Sequence, residues 1–201
     1  MSYYSIAEPV NSRQKIKHSE FLAFLFPIDS VEEAESIISQ HRKEYPDATH
    51  HCFAYISGFN RETQFYSDSG EPTGTAGKPI LNALLSANMT NILAIVTRYF
   101  GGIKLGTAGL AKAYSGSVQA TLLKANKIPA IPYSTYHLEL DYQGINPLKY
   151  KISSFNGHII EENWDNRAEL KVQIPEEKSK EWEEFINGLK PKFYLNYKKE
   201  E

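Results

Sequence analysis

Two segments of this chain are apolar on both faces: Phe21-Leu-Ala-Phe-Leu-Phe26 and Asn91-Ile-Leu-Ala-Ile-Val-Thr97. A strand with one face in water alternates apolar and polar residues, so a run without that alternation needs cover on both sides. Both segments therefore read as interior strands of a sheet. The strand pattern around the first runs from Arg13 to Pro27. Ser30-Val-Glu-Glu33 then has the spacing of a capping box and predicts a helix with Val31, Ala34, Ile38 and Tyr45 on one face, stopped by Pro46. His51–Ile56 reads as a strand, with Gln64–Ser67 as its hairpin partner. Pro79 fits the first turn of a helix, where its missing N–H costs little, and Ile80, Leu81, Leu84 and Leu85 form the inward stripe. A helix rich in small residues is predicted from about Thr107 to Ala125. The order βαββαβα gives an α+β domain over residues 1–128, a sheet with helices on one or both faces.

Pro129-Ala-Ile-Pro132 reads as a short, stiff linker. A second domain is predicted over residues 133–201. Its strands are Tyr136–Asp141, a hairpin of His158–Trp164 and Arg167–Ile174 about Asp165-Asn166, and Lys192–Tyr197. One helix is capped and opened by Asn146-Pro147 and carries Leu148, Ile152 and Phe155. The other follows Pro175 with Trp182, Phe185, Ile186 and Leu189 inward. This β-α-β-β-α-β order is the ferredoxin-like plan.

The chain has 201 residues, 41% of them hydrophobic and 23% charged, as in ordinary soluble domains. One cysteine, Cys52, excludes an intrachain disulfide and fits a reducing compartment. Met1-Ser-Tyr-Tyr has neither a basic nor an apolar leader pattern, no run has the length of a membrane span, and a cytoplasmic location is expected. The formal net charge is only −2, so any site for a polyanion must be local. Such a locality exists: no Asp or Glu occurs between Glu71 and Glu139, while Lys78, Arg98, Lys104, Lys112, Lys124 and Lys127 do.

The same stretch holds two glycine-rich loops, Ser67–Pro79 and Thr97–Gly106, each expected to open a helix. Glycine turns let backbone N–H groups approach a ligand, and a helix N-terminus favours negative charge. Neither loop is a nucleotide motif: Pro72 and Pro79 break the P-loop spacing around Gly77-Lys78, Thr107 replaces the lysine after Gly106, and no acid follows about 20 residues on, as a dinucleotide fold requires. Thr73, Thr75 and Lys78 at one loop, with Arg98, Tyr99, Gly101, Gly102, Lys104 and Lys112 at the other, form a candidate face for nucleic acid or another anion. Tyr99 and Phe100 offer rings that stack on bases, although Phe100, closing a strand, reads better as core. Arg98 ends an apolar strand and needs a partner: a ligand, or Asp68 or Glu71 acting as organisers of the loops. Asp68 and Glu71 are not joined locally by a His, Ser or Cys that completes a nucleophilic set. Of His50, His51 and Cys52 at most His50 and Cys52 share a strand face, which leaves too few ligands for zinc, and Cys52 reads as a buried structural residue. No catalytic residue, metal or cofactor is expected.

Three ordered blocks carry a family resemblance: Asp47–Tyr55, Tyr66–Pro79 and Val96–Gly106. Through them the chain resembles the YigZ/IMPACT family, closely from about Lys15 to Lys127 and by layout beyond. The resemblance implies an N-terminal domain like the second domain of the fifth small-subunit ribosomal protein, and a ferredoxin-like domain similar to the last domain of elongation factor G. It also implies a nucleic-acid- or ribosome-related role. Eukaryotic IMPACT proteins regulate translation initiation by competing for the activator of a nutrient-sensing kinase through a further N-terminal domain, for which no counterpart is expected here. The expectation is thus a non-catalytic cytoplasmic regulator of translation that binds RNA or a ribosome-associated protein through the basic loops. The alternative is an enzyme acting on a phosphorylated small molecule at the same loops.

Overall fold

The structure is a computed structural model that describes residues 3–189 and 194–200. The chain is mixed α+β and divides into two compact units, the first ending at Ala130 and the second beginning at Ile131.

In the first unit, β1 (Tyr4–Ile6) is followed by β2 (Val10–Ile16), β3 (Ser19–Pro27), α1 (Val31–Glu44), β4 (His50–Ser57) and β5 (Thr63–Ser67). Then come α2 (Gly77–Ser86), β6 (Ile92–Tyr99), α3 (Gly106–Leu122) and β7 (Lys127–Pro129). Five strands form an antiparallel sheet in the order β2-β3-β6-β4-β5. The two doubly apolar segments are its neighbouring interior strands β3 and β6, and their alternate side chains feed two cores. Phe21, Ala23, Leu25, Cys52, Ala54, Ala94 and Val96 pack against Ile80 and Leu84 of α2 and Tyr114 and Val118 of α3. On the opposite face Phe53, Tyr55, Leu93 and Ile95 meet Ala34 and Ile38 of α1. Each large apolar side chain so enclosed contributes about 1.5–3 kcal/mol.

Ser30 caps α1 by accepting from the Glu33 N–H at 3.2 Å. The reciprocal arm is displaced by one residue: Glu33 accepts from the Asp29 N–H at 2.7 Å, rather than from that of Ser30. Small polar residues let α3 lie close to the sheet. Ser117 and Thr121 return their hydroxyls to carbonyls one turn back, and the Ser12 and Thr121 hydroxyls meet at 2.7 Å. The ribbon of β1 with β7, three residues a side, has no counterpart in the sequence reading. Pro129, read as the start of the linker, ends β7.

The second unit contains β8 (Tyr133–Leu140), α4 (Ile145–Ser154), β9 (His158–Trp164), β10 (Ala168–Pro175), α5 (Ser179–Leu189) and β11 (Leu195–Lys199). Its antiparallel sheet has the order β11-β8-β10-β9. The core lies on one face, where Tyr136, Leu138, Leu140, Leu170 and Val172 meet Leu148, Ile152, Trp182 and Ile186. Asn146 is not a cap: α4 begins at Ile145 behind a short 3₁₀ turn, so Asn146-Pro147 lies inside its first turn. The expected start of the last strand, Lys192 and Phe193, lies outside the described residues.

Candidate functional site

The β5–α2 loop and the β6–α3 loop are tied together by a buried polar network. Arg98, near the end of β6, pairs across the ladder with Phe21 on β3 and His50 on β4. Its side chain is only 5% exposed, and its Nη1 donates to Glu71 Oε1 at 2.5 Å; the Glu71 side chain is 3% exposed. Of the two acids open to it in the sequence, Arg98 therefore takes Glu71. A buried charge is tolerable when paired and hydrogen-bonded, and this pair is both. The Tyr114 hydroxyl donates to the same carboxylate oxygen at 2.8 Å, and His50 Nε2 lies 3.9 Å from it. Arg98 Nη2 donates to Ser19 Oγ at 3.3 Å, and that hydroxyl also accepts the Gly101 N–H at 3.2 Å. The guanidinium lies near the Phe21 and Phe100 rings, 5.5 and 5.3 Å from their centroids.

Asp68 organises the first loop from within. Its Oδ1 accepts from the N–H groups of Ala76 and Gly77 at 2.9 and 2.8 Å, and its Oδ2 from Gly74 at 2.8 Å. Burial would raise this carboxyl, but the three N–H donors together hold it below the ordinary range. Asp68 thereby satisfies the opening of α2, whose own preceding residue, Ala76, has no capping side chain. The Cys52 thiol donates to the Asp68 carbonyl at 2.9 Å, and burial pushes it up to about 12, so it is no nucleophile at neutral pH. Burial likewise pushes the Tyr114 phenol far above its usual value. His50 donates from Nδ1 to the Ser69 carbonyl at 3.0 Å. Among the described residues no group of three His, Cys, Asp or Glu side chains is placed to hold a metal.

The expected face is therefore divided. Arg98 and Gly101 do not share it with the lysines: the charge of one is offset by Glu71, and the N–H of the other is committed to Ser19. Thr75 is also turned inward, its hydroxyl bonded to the Pro72 carbonyl. Tyr99 is half-buried and donates to Asp47 at 3.3 Å. Thr73, Lys78, Gly102, Lys104 and Lys112 are exposed. Phe100, expected in the core, is 46% exposed, because the chain leaves the sheet at Tyr99. Neither helix has an acid in its first turn, but the start of α2 is held by the Asp68 carboxylate, whereas no side chain caps α3. Lys112 and Pro79 line a groove between α3 and α2; β5 and β6 both run antiparallel to β4, so the helices that follow them open at the same end of the sheet. Ser19, His50 and Tyr114 were not among the expected site residues. Their partners lie tens of positions away, and no local spacing marks them.

The sequence model of the Impact N-terminal domain family matches residues 17–122. The chain is 38% identical over 178 residues to a protein of Escherichia coli (strain K12) named IMPACT family member YigZ, covering 88% of this chain and 87% of that one. It is 31% identical to IMPACT family member YvyE of Bacillus subtilis (strain 168), covering 94% and 87%. A crystal structure described as that of a hypothetical protein matches it with a TM-score of 0.69 at 35% identity, over 98% of this chain and 96% of the other.

Proposed function

This chain belongs to the IMPACT family, and from that premise we propose that it is a cytoplasmic, non-catalytic regulator of translation. It binds RNA, alone or within a ribosome-associated complex, through the face where α3 opens. In this reading the first unit is a ribosomal-protein-type domain, and the second is ferredoxin-like, similar to the last domain of elongation factor G. The strand order of the second unit supports the latter.

One observation carries the proposal. The start of α3 has no capping side chain and no acid, and Gly102, Lys104 and Lys112 are exposed around it. Free N–H groups at a helix start, flanked by lysines, suit a phosphate. Lys78, exposed in the first turn of α2, adds a third cation. The acids of the loops favour binding over catalysis, because Asp68 and Glu71 are engaged with backbone N–H groups, Arg98 and Tyr114.

The test is fluorescence anisotropy of a labelled single-stranded oligouridine across a potassium chloride series. Each phosphate contact gives about 0.7 log units of affinity per decade of salt on a single strand. Lys104→Glu with Lys112→Glu is expected to weaken binding of all RNA sequences alike and lower that slope by roughly 1.4. A double reversal that leaves affinity and slope unchanged refutes the site.

A further inference from the structure

The outer strands of the two larger sheets are not alike. β2 carries Arg13 and Lys15; β11 carries Lys198 and Lys199; β9 carries Glu161 and Glu162 and is bulged opposite Lys171 and Val172. Charges and bulges of this kind keep a sheet edge from pairing with another strand. β5, Thr-Gln-Phe-Tyr-Ser, has no charge, proline or bulge, and among the described residues its only ladder partner is β4. Its Phe65 and Tyr66 are 49% and 43% exposed, on opposite faces.

On the α1 side, Phe65 extends an aromatic shelf. Its ring stacks with Tyr55 at 5.5 Å and Phe53 at 6.1 Å. Glu35, Ile38, Arg42 and Lys43 of α1 line the open space of about 490 Å³ beside these rings. The shelf is electrically polar along its length. Glu35, toward the start of α1, lines this space with Tyr55, with Glu32 one turn before it, and burial and then these two carboxylates raise the phenol above its ordinary value. At the Phe53 end, the Arg42 guanidinium lies 5.9 Å from the ring centroid, followed by Lys43. Arg42, Lys43 and Glu35 have no ion-pair partner among the described residues.

We propose that β5 is the pairing edge of an isologous dimer, in which a second copy of this chain adds its own β5 antiparallel about a two-fold axis near Phe65. The two five-stranded sheets then become one of ten strands. Antiparallel pairing is the arrangement that sets the acidic end of each shelf against the basic end of the other, so a single polar shelf is self-complementary under a two-fold. It also brings the two exposed Phe65 rings to one face across the axis, where aromatic cross-strand pairs stabilise a sheet. A five-residue strand spans only about 17 Å. Strand pairing alone therefore falls short of a standard interface of roughly 1,200–2,000 Å², and the α1 shelves supply the remainder. A weak dimer, in the micromolar range, is the expected strength.

Sedimentation equilibrium of the full chain from low micromolar to several hundred micromolar tests this. The wild-type chain is expected to dimerise, and Phe65→Lys to sediment as a monomer that keeps the wild-type far-UV circular dichroism spectrum. Arg42→Glu is expected to weaken the dimer at least about tenfold, and Arg42→Glu with Glu35→Arg to restore it, since the double reversal inverts both ends of the shelf. A wild-type chain that stays monomeric throughout overturns the proposal and leaves the edge to a strand of another protein. A dimer that survives Phe65→Lys, or one that the double reversal fails to restore, overturns it equally.

Discussion

Arg98→Met removes the cation from the buried pair while keeping an apolar side chain of similar length beside Phe21. The Glu71 carboxylate then retains the Tyr114 hydroxyl at 2.8 Å and has His50 at 3.9 Å, but no close cation. Both partners are almost fully out of water, at 5% and 3% exposure, so solvent screening does not discount the loss. Breaking such a pair by removing one member costs about 3–5 kcal/mol. With a urea slope of about 2 kcal/mol/M, that moves the midpoint of the first unit down by roughly 1.5–2.5 M. Trp164 and Trp182, the two tryptophans, both lie in the second unit. Far-UV circular dichroism should therefore record the shift, while tryptophan fluorescence reports on the second core, which has its own residues. Adding Glu71→Gln removes the bare charge and keeps an acceptor for Tyr114, and should recover about 2 kcal/mol or more of the loss. A loss below about 1 kcal/mol for Arg98→Met, or no recovery in the double variant, would refute the assignment of this pair as the tie between the loops.

Three further outcomes are expected of the first unit. His41 is buried against Thr97, and burial, then His51, lowers it to about 4 from an ordinary value near 6.5. Protonation thus favours the unfolded chain: stability is full above about pH 6.5, falls by up to about 1.4 kcal/mol per pH unit toward about pH 4, and levels below it. Equilibrium unfolding of His41→Gln should have a flatter profile than wild type between about pH 7 and pH 5, above the carboxylate range. The two glycines of the second loop should differ. A Cβ on Gly101 would lie 2.0 Å from the His18 carbonyl carbon, where backbone cannot yield, so Gly101→Ala should cost at least the roughly 1–3 kcal/mol of overpacking. Gly102 has open space and φ +84°, so Gly102→Ala should cost only about 1–2 kcal/mol of left-handed strain. Thermal melting of the two variants separates the mechanisms, and equal losses would contradict the close approach at Gly101.

What could be read from the sequence follows the range of the interactions. β3 and β6 were legible because burial on both faces is written into consecutive residues. The β2–β3 turn was not, since Lys17 and His18 both take positive φ without the glycine or asparagine that usually marks such a turn. The three-residue β1–β7 ribbon joins opposite ends of the unit and has no local signature. At the site, an arginine closing an apolar run signalled the need for a partner, but not whether that is a ligand or an acid, and the choice of Glu71 over Asp68 depended on how the first loop folds. Gly74, at φ +76°, lets the loop turn back so that Asp68 meets the start of α2, which leaves Glu71 to face Arg98. That choice has a functional consequence. The only arginine of the acid-free stretch is neutralised by the acid at its boundary, so the exposed cations around the helix openings are lysines. A lysine is a point charge that holds a phosphate, whereas reading a base edge calls for the planar fork of an arginine. If this face binds RNA, it should do so with little sequence preference, and Lys104→Arg should leave affinity nearly unchanged where Lys104→Glu does not. A marked preference for one RNA sequence that depends on Lys104 would mean that some group other than these lysines does the reading.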